Sequence, residues 1–465
     1  MAHANSTLRR EMSGFGGMII TLTGLSPSVG VFVAAPVIIQ QSGSFVVAAC
    51  ALAVLLGLVV SGVYAELGSA FPHAGGDYVL IGNTLGPVAR FAALASSLVG
   101  YPAGAALSAL GIAGFLKVVA PAVDQLPCAI ACVVIVTALA ALSVRMNAWV
   151  TGLFLAAEIA TLVVTAMLGF LHPHNDLVQA LIHPVMARPG GGVEPTPLLA
   201  IGAAGTAAIY ALNGYGQAVV FGEEVIGARS KMIWMIYGAL GLGALTIIPP
   251  LIGVVIGAPD WAKLSASAAP LQDFVLAAGG ARLAALVSAG VALAIFNTMI
   301  AIALMGGRVI YAAARENSWH SGINAALSKV HARFGSPWVA TLALGAVSMA
   351  LCFLPLSVLV LINGSGMALI YGLLALGVIA GRRGGATARS HAKMPWHPVG
   401  PCIVITVSLV LFGAALAEKG AGRAGALVTL GIMAAGALYY LVLVRRAGTW
   451  AHHEPEEVLV SVDAR

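Results

Sequence analysis

Charge is what this chain has least of. Asp, Glu, Lys and Arg make up 9% of its 465 residues, against roughly 25% in ordinary soluble domains. Hydrophobic residues make up 60%, and the mean hydropathy is +0.98. A water-soluble core cannot absorb so much apolar surface, so an all-α integral membrane protein is expected. Catalytic clusters are lacking too. The eleven histidines fall almost entirely in loops and ends, and nothing resembles a pore-lining filter, so neither an enzyme nor a channel is expected. Cysteine is scarce: Cys50, Cys128, Cys132, Cys352 and Cys402. Cys128 and Cys132 share a helix face without nearby histidines, and His172 and His174 have no further ligands around them. No disulfide, metal or cofactor is expected. The run after Arg9 and Arg10 is too long for a cleaved leader and has no clear cleavage site.

What is present is a series of apolar runs of bilayer length, about 20 residues each. Twelve transmembrane helices are read, at 14–40, 44–66, 87–118, 126–143, 148–171, 197–222, 232–257, 274–304, 338–354, 357–381, 400–417 and 425–444. Of the 23 Lys and Arg, 17 fall on the side of the amino terminus and 6 on the other. The positive-inside rule then puts both termini in the cytoplasm and the chain in the inner (cytoplasmic) membrane. The net charge of +6 is explained by this topology rather than by nucleic acid.

Two of these runs contain poor helix formers. The first carries Gly24, Ser26, Pro27, Ser28 and Gly30 near its middle, and the sixth carries Asn213-Gly214-Tyr215-Gly216. Proline removes a donor and clashes with the preceding turn, and backbone groups released within a membrane must face a cavity or a ligand. The interruptions stand five helices apart. Because five is odd, spans 1–5 and 6–10 read as two halves of opposite orientation, and paired broken helices mark the binding site of such transporters. The amides of the resumed first helix suit a carboxylate; carbonyls released before a break suit an ammonium.

At these residues the chain resembles the amino acid–polyamine–organocation superfamily of permeases. The likeness runs through Gly24-Leu25-Ser26-Pro27-Ser28-Val29-Gly30-Val31-Phe32, through the stretch Tyr64 to Pro87, through Glu223-Glu224-Val225, and through Arg308, Tyr311 and Arg315. Pro27 and Ser28 depart from the usual first-helix signature. The resemblance implies a leucine-transporter-like 5+5 inverted repeat with helices 1 and 6 broken, plus two added helices. On that reading residues 1–13 form a cytoplasmic N-terminus, 14–171 the first repeat, 172–196 an extracytoplasmic loop, 197–381 the second repeat, 400–444 the last two helices, and 447–465 a cytoplasmic tail.

The implied function is secondary active import of an amino acid or related amine by alternating access, coupled to a proton. Exchange, or transport of polyamines or organocations, is the alternative. Candidate substrate-binding residues are Thr23, Gly24, Ser26, Pro27, Ser28, Gly30, Tyr101, Asn213, Gly214, Tyr215, Gly216 and Asn297. Glu158 is the single acid near the middle of a span, and two readings stay open for it: proton coupling, or a carboxyl hydrogen-bonded to a neighbouring helix. Glu66, Glu223 and Glu224 lie at inner helix ends, where ion pairs with Arg90, Arg229, Lys231, Arg308 or Arg315 compete with plain solvation. With no acid but Glu158 near the breaks, a neutral substrate is favoured.

Overall fold

The computed structural model describes residues 8–142, 144–188, 192–197, 204–205, 207–209, 211–267, 269–417, 421–448 and 450. The start of the expected sixth span, residues 189–191 of the expected outer loop, and the tail beyond Trp450 lie outside the described residues. Helices make up nearly all of what is described. Two three-residue strands, Val185–Ala187 and Val193–Pro195, pair antiparallel with Met186 opposite Glu194.

Among the described residues, eight helical stretches are long and apolar enough to cross a membrane: Gly14–Ala70, Pro87–Val119, Trp149–Leu171, Ala228–Gly257, Pro270–Arg315, Gly366–Arg383, Val399–Ala417 and Arg423–Ala447. The difference from twelve has physical reasons. Gly14–Ala70 has 57 residues, about 85 Å of helix at 1.5 Å per residue against a hydrocarbon core of about 30 Å. It is interrupted at Ser26 and again at Gly43 (φ 61°), so it holds more than one crossing. Gln125–Ala140 and Trp338–Leu351 are apolar but have only 16 and 14 residues.

The Pro270–Arg315 stretch, two helices joined across a kink at Gly280 (φ 75°), packs against Pro87–Val119, Val144–Leu171, Trp338–Leu351 and Gln125–Ala140. Large apolar side chains also cover the outside: Trp149, Leu153, Trp234, Leu245 and Leu409 are exposed. Apolar residues both inside and out are what lipid demands, since the solvent no longer sorts side chains by polarity. The eighth expected span stopped at residue 304, yet the helix continues to Arg315, because the arginines it carries there are neutralised.

That neutralisation is extensive. The Arg308 guanidinium donates to both carboxylate oxygens of Glu224, and the Arg90 guanidinium donates to Glu316. Arg315 grips Glu223 through two nitrogens at 2.7 and 2.5 Å, with His73 Nδ1 3.6 Å from the same carboxylate. Arg382 holds Glu66 at 2.8 and 2.6 Å. All four carboxylates are buried, so ion pairing, not solvation, describes these helix ends. Arg382 was not among the partners expected for Glu66. Burial alone raises the Glu223 carboxyl; His73, Arg315 and the Ala74 amide overcome it and hold the group down at about 2. Its contribution to stability is therefore in place above the ordinary 4.5 and is lost only as the pH falls towards 2.

Removing one partner of a buried pair strands the other charge, at a cost of about 3–5 kcal/mol. Arg308→Met should thus lower the melting temperature of the detergent-purified protein steeply. Adding Glu224→Leu should recover most of the loss; a double variant melting below the single one would contradict this account.

Candidate functional site

The first break is built from the local sequence. The helix Gly14–Leu25 ends where the Ser26 N–H donates to the Leu22 carbonyl at 3.0 Å. Ser26 itself is left-handed, at φ 52°. Pro27 then opens a new turn, Pro27–Val29, in the first helical position where its missing N–H does no harm. A π-helical stretch, Gly30–Ala34, follows before the helix Ala35–Ser42. The restart leaves free amides, and one is already taken: the Ser28 N–H donates to Glu158 Oε1 at 2.7 Å. One carboxylate on this half-helix is thus the protein's own. Glu158 is fully buried, and its Oε2 has no hydrogen-bond partner.

The second break runs through a turn at Leu212–Gly214 into a 3₁₀ segment, Tyr215–Phe221. Gly214 has φ 121°, a conformation that L side chains rarely adopt. A Cβ on Gly214 would lie 2.6 Å from the Leu25 Cα, and one on Gly30 would lie 2.6 Å from the Ala211 carbonyl oxygen. The two breaks therefore touch backbone to backbone, and glycine is what permits it. Gly24 differs: a Cβ there meets only the mobile end of Met305, at 2.9 Å.

Beside this contact lies a cavity of about 210 Å³. Six of the residues expected from the sequence line it: Gly24, Ser26, Gly30, Tyr101, Asn213 and Gly214. Thr23, Pro27, Ser28, Tyr215, Gly216, Asn297 and Glu158 are not in its wall. Thr23, Pro27 and Ser28 are buried on other sides of the first break. Gly216 lies against the Tyr64 ring, and Tyr215 is buried near Gly57. Asn297 donates to the Thr151 carbonyl at 3.0 Å, an ordinary tie between helices.

The wall also contains polar groups that the sequence reading missed. Tyr371 donates to Asn213 Oδ1 at 2.6 Å, which fixes the second break from another helix. Tyr101 donates to Gln217 Oε1, and Gln217 Nε2 lies 3.5 Å from Asp77 Oδ2. Asp77 lines the cavity. It stands in the segment linking two spans, just after Gly76 (φ 64°), and that turn brings it to the breaks. The ground for favouring a neutral substrate, an absence of acids there, does not hold.

The amino acid permease family model matches residues 14–438. The chain belongs to the amino acid permease family. It is 28% identical over 347 residues to an uncharacterised transporter of Mycobacterium tuberculosis, covering 74% of each chain. It is 25% identical to the branched-chain amino acid permease BcaP of Lactococcus lactis, over 80% of this chain and 82% of that one. Against the b(0,+)-type amino acid transporter 1 of Mus musculus it is 23% identical, over 96% and 90%. The family is one of transporters, and this member is a multi-pass membrane protein.

The contact between the breaks gives a graded expectation for this family member. Gly214→Ala and Gly30→Ala should each lower the melting temperature, with a strained φ at 214 alone worth roughly 1–2 kcal/mol. Gly24→Ala should be tolerated, because Met305 can move aside. Equal losses at all three positions, read by thermal unfolding in detergent, would contradict the touching-backbone arrangement.

Proposed function

We propose that this permease imports an amino acid or related amine across the cytoplasmic membrane by alternating access. The observation that carries the reading is the contact of two broken helices beside a small polar cavity. Such a break exposes backbone donors and acceptors at membrane depth, where only a cavity or a ligand can use them. The arrangement proposed is twelve spans in a 5+5 inverted repeat, residues 14–171 and 197–381, with both termini cytoplasmic. Gly24, Ser26, Gly30, Tyr101, Asn213 and Gly214 hold the substrate; Thr23, Pro27, Ser28, Tyr215 and Gly216 shape the breaks around it, and Asn297 braces two helices away from the cavity wall.

Proton coupling is assigned to Glu158. As a carboxylate it accepts from the Ser28 amide and so pins the first break to the helix Val144–Leu171. A neutral carboxyl accepts more weakly than an anion, so proton uptake loosens that pin. Protonation and the shape of the first break are thereby linked through one hydrogen bond. Exchange of one substrate for another remains the second mechanism, distinguished by a requirement for internal substrate.

The test is uptake by proteoliposomes under an imposed pH gradient. Substrate should accumulate in the wild type. Glu158→Gln should lose the dependence on the gradient while the protein stays folded. Undiminished, gradient-driven uptake by Glu158→Gln would remove Glu158 from the coupling step.

A further inference from the structure

Asp77 is an acid in a cavity wall that provides no base to answer it. Among the described residues, no Lys, Arg or His lines the cavity. Arg90, Arg308, Arg315 and Arg382 each bind a different carboxylate: Glu316, Glu224, Glu223 and Glu66. Asp77 Oδ1 is shielded from solvent and has no hydrogen-bond partner, and the neutral groups that reach the carboxylate are the Gln217 amide, 3.5 Å from Oδ2, and the Tyr64 hydroxyl. An isolated carboxylate in such a place is costly without a counter-charge.

The groups around Asp77 are of one kind. Tyr64, Tyr101 and Tyr371 come from three different helices, and each lies within electrostatic reach of the carboxylate. Tyr64 and Tyr371 meet edge to face, their centroids 6.0 Å apart. His73 shares the linking segment with Asp77 but is engaged with Glu223 and Glu316. Tyrosines gathered with a carboxylate that has no cationic partner suit an ammonium, which gains from the charge and from aromatic neighbours. The cavity, at about 210 Å³, lies below the roughly 300–1,000 Å³ of drug-sized sites, so the ligand is short.

We propose that Asp77 is the counter-ion for a cationic substrate, a primary ammonium at the end of a short aliphatic chain. A basic amino acid or a short diamine carries that group. The proposal rests on the transporter reading above and names the substrate class of the same cavity. Burial pushes the Asp77 carboxyl up to about 6, with Tyr64 and Gln217 acting the other way. A cation needs the carboxylate, so the preference for cations should hold above pH 6 and fade as the pH falls through that value.

The experiment measures uptake by proteoliposomes of lysine against norleucine, a pair alike in shape and different in charge. Cadaverine serves as a third probe, separating amino acids from plain amines. The wild type should prefer lysine or cadaverine over norleucine at pH 7.5 and lose that preference by pH 5. Asp77→Asn should lower the kcat/KM ratio of cationic to neutral substrate at least tenfold, whereas Asp77→Glu should keep most of it. Preference for norleucine in the wild type, or a ratio unchanged by Asp77→Asn, overturns the proposal and leaves the transporter reading standing. If Asp77→Asn does not fold, the wild-type pH profile decides: a preference constant from pH 7.5 to 5 overturns it. Uptake of none of the three probes overturns this proposal, and the transporter reading is then judged by its own pH-gradient uptake test.

Discussion

A helix interrupted at membrane depth must find partners for the backbone groups it sets free, because lipid offers none. Everything near the cavity follows from that constraint. The first helix meets it with an Asp/Glu-type solution, Glu158 taking the Ser28 amide from across a helix boundary. The second meets it with a tighter winding, a seven-residue 3₁₀ stretch from Tyr215, longer than the three or four residues common for that helix. Tyr371 then anchors Asn213 from outside the break. Each helix is thus repaired by a different device, one electrostatic and one geometric.

The same logic of compensation governs the charged residues. In a chain with so few charges, buried arginines carry structural information, because each must sit opposite a specific carboxylate. The pairs join segments far apart in sequence: Glu66 with Arg382, Glu224 with Arg308, Arg90 with Glu316. Replacing such a pair by apolar residues of similar volume is often neutral or stabilising, so these pairs matter for which segments meet rather than for net stability. They fix which helix ends meet, a choice that interchangeable Leu, Val and Ala faces cannot make.

How much of this was legible in the sequence varies by kind of signal. The membrane class and most helix positions followed from hydropathy, since long apolar runs have one common cause. The breaks at Ser26 and Gly214 were legible because Pro and clustered Gly act locally. Which side chains reach the cavity was not, because that depends on how helices rotate about their axes. Asn297 looked like a lining group and instead ties two helices together, while Glu158, read either as a proton-coupling group or as a carboxyl bonded to a neighbouring helix, does make such a bond. Asp77 looked like part of a linking loop and lines the cavity. Its one available cue was the glycine pair before it, Gly75-Gly76, which signals a sharp turn but not its direction. The extent of the Pro270–Arg315 helix was hidden for a related reason: hydropathy counts Arg308 and Arg315 as solvated ends and cannot see their partners.

One feature at the margin of the fold reaches into its centre. The segment before the first helix runs parallel to the segment after the second break, with Met12 bonded to Glu224 and Ile226, while Arg10 caps the Glu223 carbonyl. Those two backbone bonds make a hasp between the start of the first helix, before Gly14, and the chain that follows the second break, after Phe221. Neither end can swing alone; they travel together or the hasp opens first. Moving one of these segments by itself therefore costs both backbone hydrogen bonds, about 1 kcal/mol each.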